Sequence, residues 1–279
     1  MLAGSTIRLR SSRNAIACRP MLEDLFSVQG KTAVVTGGSR GLGLMIARGL
    51  VEAGAEVVIS SRKADACEAA AAELSSHGSC VAIPADLSNR GGCVALAEAV
   101  RERGDRVDLL VNNAGATWGE PLETYPDKAW DRVLDTNVRG IFQLTVATLD
   151  LLRAAADAQD PARVINIGSV DGIKAPMMES YAYSASKAAV HQLTRHLAKR
   201  LASEQITVNA IAPGPFESKM TAFMLENPDT RSVVEQTVPL GRIGRPQDIV
   251  GTTLFLASRA GSYLTGTVIP VDGGITGCP

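Results

Sequence analysis

Long apolar runs are missing from this 279-residue sequence, and none reaches the roughly 18–20 residues that a membrane-spanning helix needs. The formal net charge is only −1, so the chain lacks the excess of basic residues that attracts nucleic acid or an acidic membrane surface. Hydrophobic residues nevertheless make up 46% of it, which is enough for a sizeable core. The composition indicates a globular protein with neither nucleic acid nor membrane as a partner.

Cysteines are few and odd in number, and they show no C-x-x-C spacing. This pattern is typical of a reduced compartment and indicates neither a disulfide framework nor a zinc site. Two of the three histidines, His191 and His196, lie five residues apart, which is not a metal-ligand spacing on one helix face. We therefore predict no metal site. The five cysteines are Cys18, Cys67, Cys80, Cys93 and Cys278.

Acidic side chains are absent from the first 20 residues, which contain four arginines and several serines; the first acid is Glu23. This composition is typical of a mitochondrial transit peptide. A disordered tail, or an upstream start codon followed by Met21, is the simpler interpretation. We favour the simpler one and predict a cytoplasmic protein with a reductase domain over residues 21–279, a mitochondrial location being the alternative.

From residue 31 onward, short β-branched runs alternate with longer amphipathic stretches, as in a parallel sheet wrapped by helices. No Pro/Gly-rich linker, composition break or internal repeat divides the chain. We predict a single doubly wound Rossmann-type α/β domain with a mostly parallel seven-stranded sheet. The predicted strands are 31–36, 56–60, 80–83, 108–112, 163–169, 207–211 and 267–271, and the helices cover about 42–53, 65–77, 91–103, 128–156, 181–203 and 247–258.

A glycine-rich segment, Thr36-Gly37-Gly38-Ser39-Arg40-Gly41-Leu42-Gly43, follows the first predicted strand. Glycines let a backbone turn tightly and approach a pyrophosphate, whose charge is met by a helix N-terminus. Such a loop is weak evidence by itself, because turns collect glycine. Here, however, strand, loop and helix follow in the order that a dinucleotide-binding fold requires.

The T-G-x-x-x-G-x-G spacing, together with later motifs, resembles the short-chain dehydrogenase/reductase family. Asp86-Leu87, Asn112-Asn113-Ala114-Gly115 and Pro213-Gly214 follow the third, fourth and sixth predicted strands, as in that family, and the resemblance covers residues 27–279. It implies a nicotinamide cofactor. The implied cofactor-binding residues are Gly37, Ser39, Arg40, Gly41, Leu42, Gly43, Ser61, Arg62, Asp86, Leu87, Asn113, Ala114, Gly115, Tyr183, Lys187, Pro213, Gly214 and Phe216.

The choice between NAD and NADP is made at the end of the second predicted strand. A carboxylate there binds the ribose 2′-hydroxyl of NAD, whereas a cation accommodates the 2′-phosphate of NADP. The segment reads Ser60-Ser61-Arg62-Lys63 and has no acid. Arg40 in the glycine loop can approach the same phosphate, and a guanidinium matches phosphate geometry well. We predict NADP(H), although Arg62 and Lys63 could also be ordinary solvated charges.

Tyr183 and Lys187 match the Y-x-x-x-K motif of the family. Residues four apart lie on one helix face, so the phenol and the ammonium can address one pocket. A free tyrosine has a pKa of about 10, and a nearby cation would lower it. Tyr181 has Ala185 at the matching position and so lacks the lysine partner.

The resemblance completes a catalytic set of Asn137, Ser169, Tyr183 and Lys187. It implies that NADPH supplies hydride to a carbonyl carbon while Tyr183 gives a proton to the oxygen and Ser169 steadies that oxygen. Lys187 would tune Tyr183 and hold the nicotinamide ribose, and Asn137 would hold a water that links the lysine to solvent. Alone, Asn137 and Ser169 would be ordinary polar residues of a helix and a strand end.

The substrate is less well determined. Residues 215–240 mix Phe216, Met220, Phe223, Met224 and Leu225 with charges, and in the family this stretch is a substrate lid; equally, these side chains could anchor it to the core. The chain most resembles bacterial 3-oxoacyl-[acyl-carrier-protein] reductases, within the branch of the rhamnolipid pathway. The implied substrate is a 3-oxoacyl thioester or related β-keto compound.

One departure from those reductases concerns acyl carrier protein. Asp160 and Glu204 stand where carrier-protein-dependent reductases present arginines. If these acids flank the active-site mouth, they disfavour the acidic carrier protein and favour a CoA-linked or free β-keto substrate. Alternatively, Arg163, Arg195 and Arg200 form a displaced basic patch.

Two other functions remain open from the sequence: an NAD(P)-dependent sugar or secondary-alcohol dehydrogenase, and a non-catalytic nucleotide-binding sensor. Sensors of this fold usually lose the tyrosine or the lysine, which this chain keeps. The resemblance also implies a homotetramer, or a homodimer, assembled through the predicted helices 128–156 and 181–203 and the 263–274 stretch.

Overall fold

The computed structural model describes residues 19–176, 178–218 and 221–278. The predicted N-terminal extension, residues 1–20, falls almost entirely outside these ranges, as does Met220 of the predicted lid. Helix α1 spans Arg19–Phe26, where the sequence analysis predicted no helix. No helix among the described residues is both long enough and apolar enough to cross a membrane.

Seven parallel strands form one sheet in the described chain, in the order β3-β2-β1-β4-β5-β6-β7. The strands are β1 Thr32–Thr36, β2 Glu56–Ser60, β3 Cys80–Ala82, β4 Leu109–Asn112, β5 Ala162–Ile167, β6 Ile206–Pro213 and β7 Val268–Val271. Chain order reverses between β1 and β4, so the carboxyl ends of these two strands define the crevice in which such folds bind ligands. The predicted doubly wound fold is confirmed, with strand ends shifted by one or two residues.

Helices cover both faces of the sheet and pack on buried β-branched side chains. On one face lie α2 Gly41–Glu52, α3 Ala64–Leu74 and α11 Pro246–Ala257. The other face is covered by α4 Arg90–Arg101 and by the helices between β4 and β6. The strands alternate between the two clusters: Val35 and Ile59 face the first, Val34 and Val58 the second. The core therefore holds the strand ends rigidly beneath the site.

The predicted long helix 128–156 is interrupted. It consists of α5 Asp127–Leu134, a π-helical turn Asp135–Arg139, α6 Gly140–Ala147 and α7 Leu149–Ala155. At the α6–α7 break, the Thr148 hydroxyl donates to the Leu144 carbonyl at 2.9 Å. A side chain that bonds carbonyls of its own helix competes with the backbone ladder, and hydrophobic periodicity does not reveal this competition.

Helix α8, Tyr181–Leu201, carries the Y-x-x-x-K motif. Val190, Leu193, Leu197 and Leu201 repeat at three and four residues, which predicts one buried apolar stripe, but the observed buried face differs from it. Val190 and Leu201 are buried as predicted, whereas Leu193 and Leu197 are only partly buried. Polar residues occupy the rest of the buried face, namely Ser186, Lys187, His191 and Thr194. This face packs against β6 and the site instead of a purely apolar surface.

The segment predicted as a lid contains two short helices, α9 Ala222–Leu225 and α10 Pro228–Gln236. Asn227 caps α10, its side-chain oxygen accepting from the Asp229 amide at 2.8 Å. Arg231 in α10 forms an ion pair with Glu217, and Phe216 and Leu225 are buried. Near its end Val238 is also buried, and the Leu240 amide donates to the Gly273 carbonyl at 3.0 Å, so both ends of the segment pack on the domain.

Candidate active site

A cavity opens at the carboxyl edge of the sheet, above β1, β4 and β5. It brings together sequence-predicted residues from six separate segments of the chain. The sequence-predicted residues that line it are Gly37, Arg40, Gly41, Leu42, Arg62, Asn113, Ala114, Gly115, Ser169, Tyr183, Lys187, Pro213, Gly214 and Phe216. An adjoining recess is lined by Ser39, Ser61, Asp86 and Leu87, again with Arg40 and Arg62. Gly43 lines neither wall but shapes the loop.

The glycine loop is built by backbone contacts that leave no room for side chains. Gly37 has φ +64°, and a Cβ there would lie 2.7 Å from the Asn113 side-chain nitrogen. A Cβ on Gly43 would overlap the Gly37 carbonyl oxygen. The T-G-x-x-x-G-x-G glycines are thus required by local geometry, and the loop leaves a concave surface before α2 that fits a pyrophosphate.

Thr36, which the sequence analysis did not include among the site residues, ties this loop to the N-N-A-G turn. Its buried hydroxyl accepts from the backbone amides of Asn113 and Ala114, both at 2.9 Å. In return, the Asn113 side chain donates to the Thr36 carbonyl at 2.9 Å. The sequence shows only a threonine directly before the first glycine, a residue whose hydroxyl has two lone pairs to accept backbone amides.

Arg40 and Arg62 converge on the recess beside the glycine loop. Both are exposed, and neither forms an ion pair within the ranges that the structure describes. No carboxylate follows β2, while Asp86 lies across the recess and accepts hydrogen bonds from Ser88. Two unpaired guanidinium groups beside a glycine loop match a ribose phosphate well.

Tyr183 and Lys187 project from α8 into the main cavity together. The lysine Nζ lies 5.5 Å from the Tyr183 ring centroid and donates to the Ile167 carbonyl at 2.7 Å. Ser169, at the end of β5, accepts a hydrogen bond from the Asp171 amide at 3.1 Å. The hydroxyl of Tyr181 instead bonds the Glu179 carboxylate at 3.0 Å, outside this cluster.

Burial dominates the acid–base properties of Tyr183 and Lys187. Burial raises the pKa of this phenol to about 12, and a hydrogen bond with Ser169 lowers it only in part. Burial lowers the pKa of Lys187 to about 8, opposed by the nearby Asp171 carboxylate. Desolvation of the phenol is the largest influence on its pKa and opposes the lowering expected from a nearby cation.

Asn137 lies in the π-helical turn and is buried. Its side-chain nitrogen donates to the Ala116 carbonyl and the Ser186 hydroxyl, both at 2.9 Å, while its oxygen accepts from the Ala116 amide at 2.7 Å. These bonds join the turn after β4 to the helix of Tyr183. π-turns often mark functional sites, because they leave the regular ladder incomplete.

Two predicted features lie elsewhere. Asp160 and Glu204 come just before β5 and β6, whereas Ser169 comes after β5, so within one chain the acids lie at the opposite edge of the parallel sheet. Within one chain, Asp160 and Glu204 therefore do not flank the active-site mouth, which was the condition for their repelling acyl carrier protein. Glu204 is also paired with Arg153 and Arg200, each at 2.6 Å.

The displaced basic patch is wrong as well. Arg163 is 1% exposed, donates to the Leu256 and Ser258 carbonyls, and pairs with Asp160 at 2.9 Å. Arg200 forms an ion pair with Glu204. Of the three arginines, Arg195 alone is both exposed and without an ion pair within the described ranges. An arginine that is buried and already paired with a carboxylate is part of the core, and it is not accessible to an acidic partner protein.

Gly214 and Phe216 form the far wall of the cavity. A Cβ on Gly214 would approach the Asp272 Cα to 2.9 Å, so the backbone packs closely there. Phe216 is 3% exposed and its ring fills the space above Gly244. No group of three or more His, Cys, Asp or Glu side chains in the described ranges is arranged to hold a metal ion.

Comparison with known proteins agrees with this geometry. Residues 37–276 match the sequence family described as enoyl-(acyl carrier protein) reductase. The rhamnolipids biosynthesis 3-oxoacyl-[acyl-carrier-protein] reductase of Pseudomonas aeruginosa is 52% identical over 249 residues, 89% of this chain and 97% of that protein. Galactitol 2-dehydrogenase (L-tagatose-forming) of Cereibacter sphaeroides is 40% identical, over 90% and 97% of the two chains.

Solved structures give the same result. The RhlG/NADP active-site complex of P. aeruginosa superposes with a TM-score of 0.89 at 51% identity, covering 91% of this chain and 99% of that one. A gluconate 5-dehydrogenase from Burkholderia cenocepacia, in complex with NADP and tartrate, gives 0.86 at 30% identity, over 92% and 100%. The chain belongs to the short-chain dehydrogenase/reductase family, and it is an oxidoreductase of that family.

Proposed function

We propose that this protein is an NADPH-dependent reductase of 3-oxoacyl compounds, converting a β-keto group to a secondary alcohol. The observation that carries the proposal is the single cavity that holds Ser169, Tyr183 and Lys187 beside the glycine loop. It is supported by the 52% identity to a 3-oxoacyl-[acyl-carrier-protein] reductase across most of both chains.

The residues present fit NADP(H). Gly37 and Gly43 keep the loop free of side chains that would fill the phosphate cradle, and Arg40 and Arg62 are free to meet a 2′-phosphate. Lys187, Asn113 and the Pro213-Gly214 turn would hold the nicotinamide end. When bound, the reduced cofactor supplies a hydride to the substrate carbonyl carbon.

The side chains of this protein then supply the proton. Tyr183 is a neutral phenol at physiological pH, since its pKa is raised to about 12, and it can therefore donate a proton as negative charge develops on the oxygen. Ser169 donates a hydrogen bond to that oxygen. Lys187, kept close by the Ile167 carbonyl, offsets the charge left on the phenolate, and Asn137 holds the adjoining turn in place.

The decisive experiment compares two tyrosines two residues apart. Tyr183→Phe should remove nearly all reduction of a β-keto ester or thioester, about 10³-fold or more, while NADPH affinity stays close to normal. Tyr181→Phe is the matched control, because it removes the same hydroxyl from the same helix and should change turnover about twofold at most. NADPH absorbance reports the rate. Substantial turnover by Tyr183→Phe would contradict the mechanism.

A second candidate is a sugar or secondary-alcohol dehydrogenase. The 40% identity to galactitol 2-dehydrogenase favours it, since the same four catalytic residue types can run in either direction. A panel of β-keto esters, β-keto thioesters, polyols and simple ketones, tested with both cofactors, separates the two candidates by kcat/KM. A polyol preferred over every β-keto compound would establish the second.

The carrier and the assembly are part of the proposal. Both CoA and acyl carrier protein are suitable thioester carriers. Asp160 and Glu204, which were expected to repel carrier protein, form ion pairs with arginines and lie away from the cavity. A homotetramer, or a homodimer, is supported by the apolar side chains Phe142 and Val146, which are 47% and 53% exposed one turn apart on α6. Light scattering at micromolar concentration tests this; a monomeric mass would refute it.

A further inference from the structure

One wall of the cavity carries positive charge that the reduction chemistry does not use. Arg132, on α5, lines the cavity together with Thr117, Ser169 and Tyr183. Lys128 stands one turn earlier on the same helix. Both side chains are exposed, and across the described ranges neither forms an ion pair.

Both cations approach the same aromatic ring. The Lys128 Nζ lies 5.3 Å and the Arg132 Cζ 5.6 Å from the centroid of the Trp118 indole. A carboxylate lies within helical reach, three residues after Arg132, but Asp135 pairs with Arg139 instead. Like charges four apart on a helix repel each other, and an anion between them would relieve that repulsion.

The position of Trp118 is tied to the catalytic helix. The Tyr125 hydroxyl donates to the Trp118 carbonyl and accepts from the Ala182 amide, both at 3.2 Å. The Tyr125 ring also packs edge-on against Tyr181, with centroids 5.2 Å apart. Since Ala182 directly precedes Tyr183, the backbone of Trp118 is tied to the helix of the proton donor.

The cofactor phosphates have their own cations. Arg40 and Arg62 line the recess with Ser61, Asp86 and Leu87, whereas Arg132 lines only the main cavity. Arg132 is thus available to a molecule that enters beside Tyr183.

We propose that Arg132 and Lys128, held over Trp118, bind an anionic group of the carbonyl substrate. This inference rests on the proposed reductase function and narrows it to substrates that carry a carboxylate or a phosphate. Planar guanidinium groups bind both kinds of oxyanion through paired N–H donors. The two sources are the carboxylate of a free 3-oxo acid and the phosphates of a CoA thioester.

Three substrates of equal acyl length separate these cases: ethyl 3-oxobutanoate, 3-oxobutanoate and 3-oxobutanoyl-CoA. Arg132→Gln should raise KM about tenfold for the substrate whose anion is bound, while KM for the ester and for NADPH changes by about twofold or less. Lys128→Gln should have a smaller effect of the same kind. Arg103→Gln is the matched control, because Arg103 is exposed, lies outside the cavity and forms no ion pair in the described ranges.

The kinetic outcomes distinguish the two proposals. An effect on the CoA thioester alone assigns the site to phosphate, and an effect on the free acid assigns it to carboxylate. Equal effects on all three substrates, or a rise in KM for NADPH alone, overturn the anion site. If the unmodified enzyme reduces none of the three, the reductase proposal fails instead.

A binding measurement tests the anion site without turnover. The chain has two tryptophans, so Trp130→Phe leaves Trp118 as the sole indole reporter. Titrating this variant with free CoA and with 3-oxobutanoate, in the presence of NADP⁺, should give a saturable fluorescence change for one of them. Adding Arg132→Gln should abolish the change, and adding Arg103→Gln should retain it. No saturable change with either ligand overturns the proposal.

Discussion

The cofactor half and the substrate half of the cavity are built in different ways. In the cofactor half, glycines at the strand ends let neighbouring backbone segments pack closely. The Thr36 hydroxyl accepts hydrogen bonds from the amides of Asn113 and Ala114 there. In the substrate half, side chains stand on a loop and on a helix surface, such as the partly buried Trp118 and the exposed Arg132. Backbone geometry allows little variation, whereas side chains on loops can be exchanged without loss of the fold.

Function is divided in the same way. A binding surface made of backbone suits a cofactor whose phosphates are the same in every reaction cycle. A surface made of exposed side chains determines which carbonyl compound is accepted. Tyr183 and Lys187 lie between the two halves on α8, where the lysine is buried and the tyrosine is partly buried.

The largest effect in this series is expected for Lys187→Ala, because Lys187 belongs to both halves. The ammonium lies 5.5 Å from the Tyr183 ring, and under the proposed function it would also hold the nicotinamide ribose. Its loss should lower kcat by about 10²–10⁴-fold and also raise KM for NADPH. Steady-state kinetics with each substrate varied separately will show both changes. A loss confined to kcat would place Lys187 in the proton chemistry alone.

Cofactor preference tests the cofactor half. The unmodified protein should use NADPH with a much higher kcat/KM than NADH, because two unpaired arginines meet the 2′-phosphate. Arg62→Asp should lower the NADPH:NADH ratio by about tenfold or more. Arg103→Asp makes the same charge change away from the recess and should leave the ratio unchanged. Equal use of both cofactors by the unmodified protein would show the assignment to be wrong.

The pH profile of reduction should also report Lys187. Its pKa is lowered to about 8 by burial, so the ammonium is present below that pH and is lost as the pH rises through it. We expect kcat/KM to fall above pH 8, towards tenfold per pH unit. Asp171→Asn should move this alkaline limb to lower pH, because the carboxylate stabilises the ammonium. An unchanged limb would mean that another group is responsible.

The sequence predicted most of the cofactor half. This half depends on local sequence patterns: the glycine loop, the missing acid directly after β2 and the N-N-A-G turn. Each pattern has one structural explanation, so Gly37, Arg62 and Asn113 are predicted from the sequence as cofactor-binding residues, and all three line the cavity. Tyr183 was separated from Tyr181 by the Y-x-x-x-K motif of the family, since only Tyr183 has a lysine four residues later. Thr36 was missed because its importance depends on amides 77 and 78 residues away along the chain.

The substrate half could be predicted much less well. The cations over Trp118 depend on how the loop after β4 packs on α5, which no spacing shows. Asp160 and Glu204 were expected at the mouth by alignment, although their places before β5 and β6 put them at the opposite sheet edge. The raised pKa of Tyr183 depends on burial by the complete fold. Such properties arise from tertiary packing, so local pattern does not carry them.

The smallest effect expected concerns Thr36→Val, which tests whether the cofactor half depends on backbone alone. The valine keeps the shape but cannot accept the amides of Asn113 and Ala114, leaving both without this partner near the cofactor site. An unsatisfied buried amide costs about 1–3 kcal/mol, so the melting temperature should fall by several degrees. KM for NADPH should rise a few-fold, while KM for the carbonyl substrate should stay the same. Thr253→Val offers a comparison, because this buried hydroxyl donates to the Ile249 carbonyl of its own helix at 2.8 Å and lies outside the cavity. It should lower stability without changing either KM. If Thr36→Val changed only stability, the hydroxyl would serve the fold and not the shape of the cofactor loop.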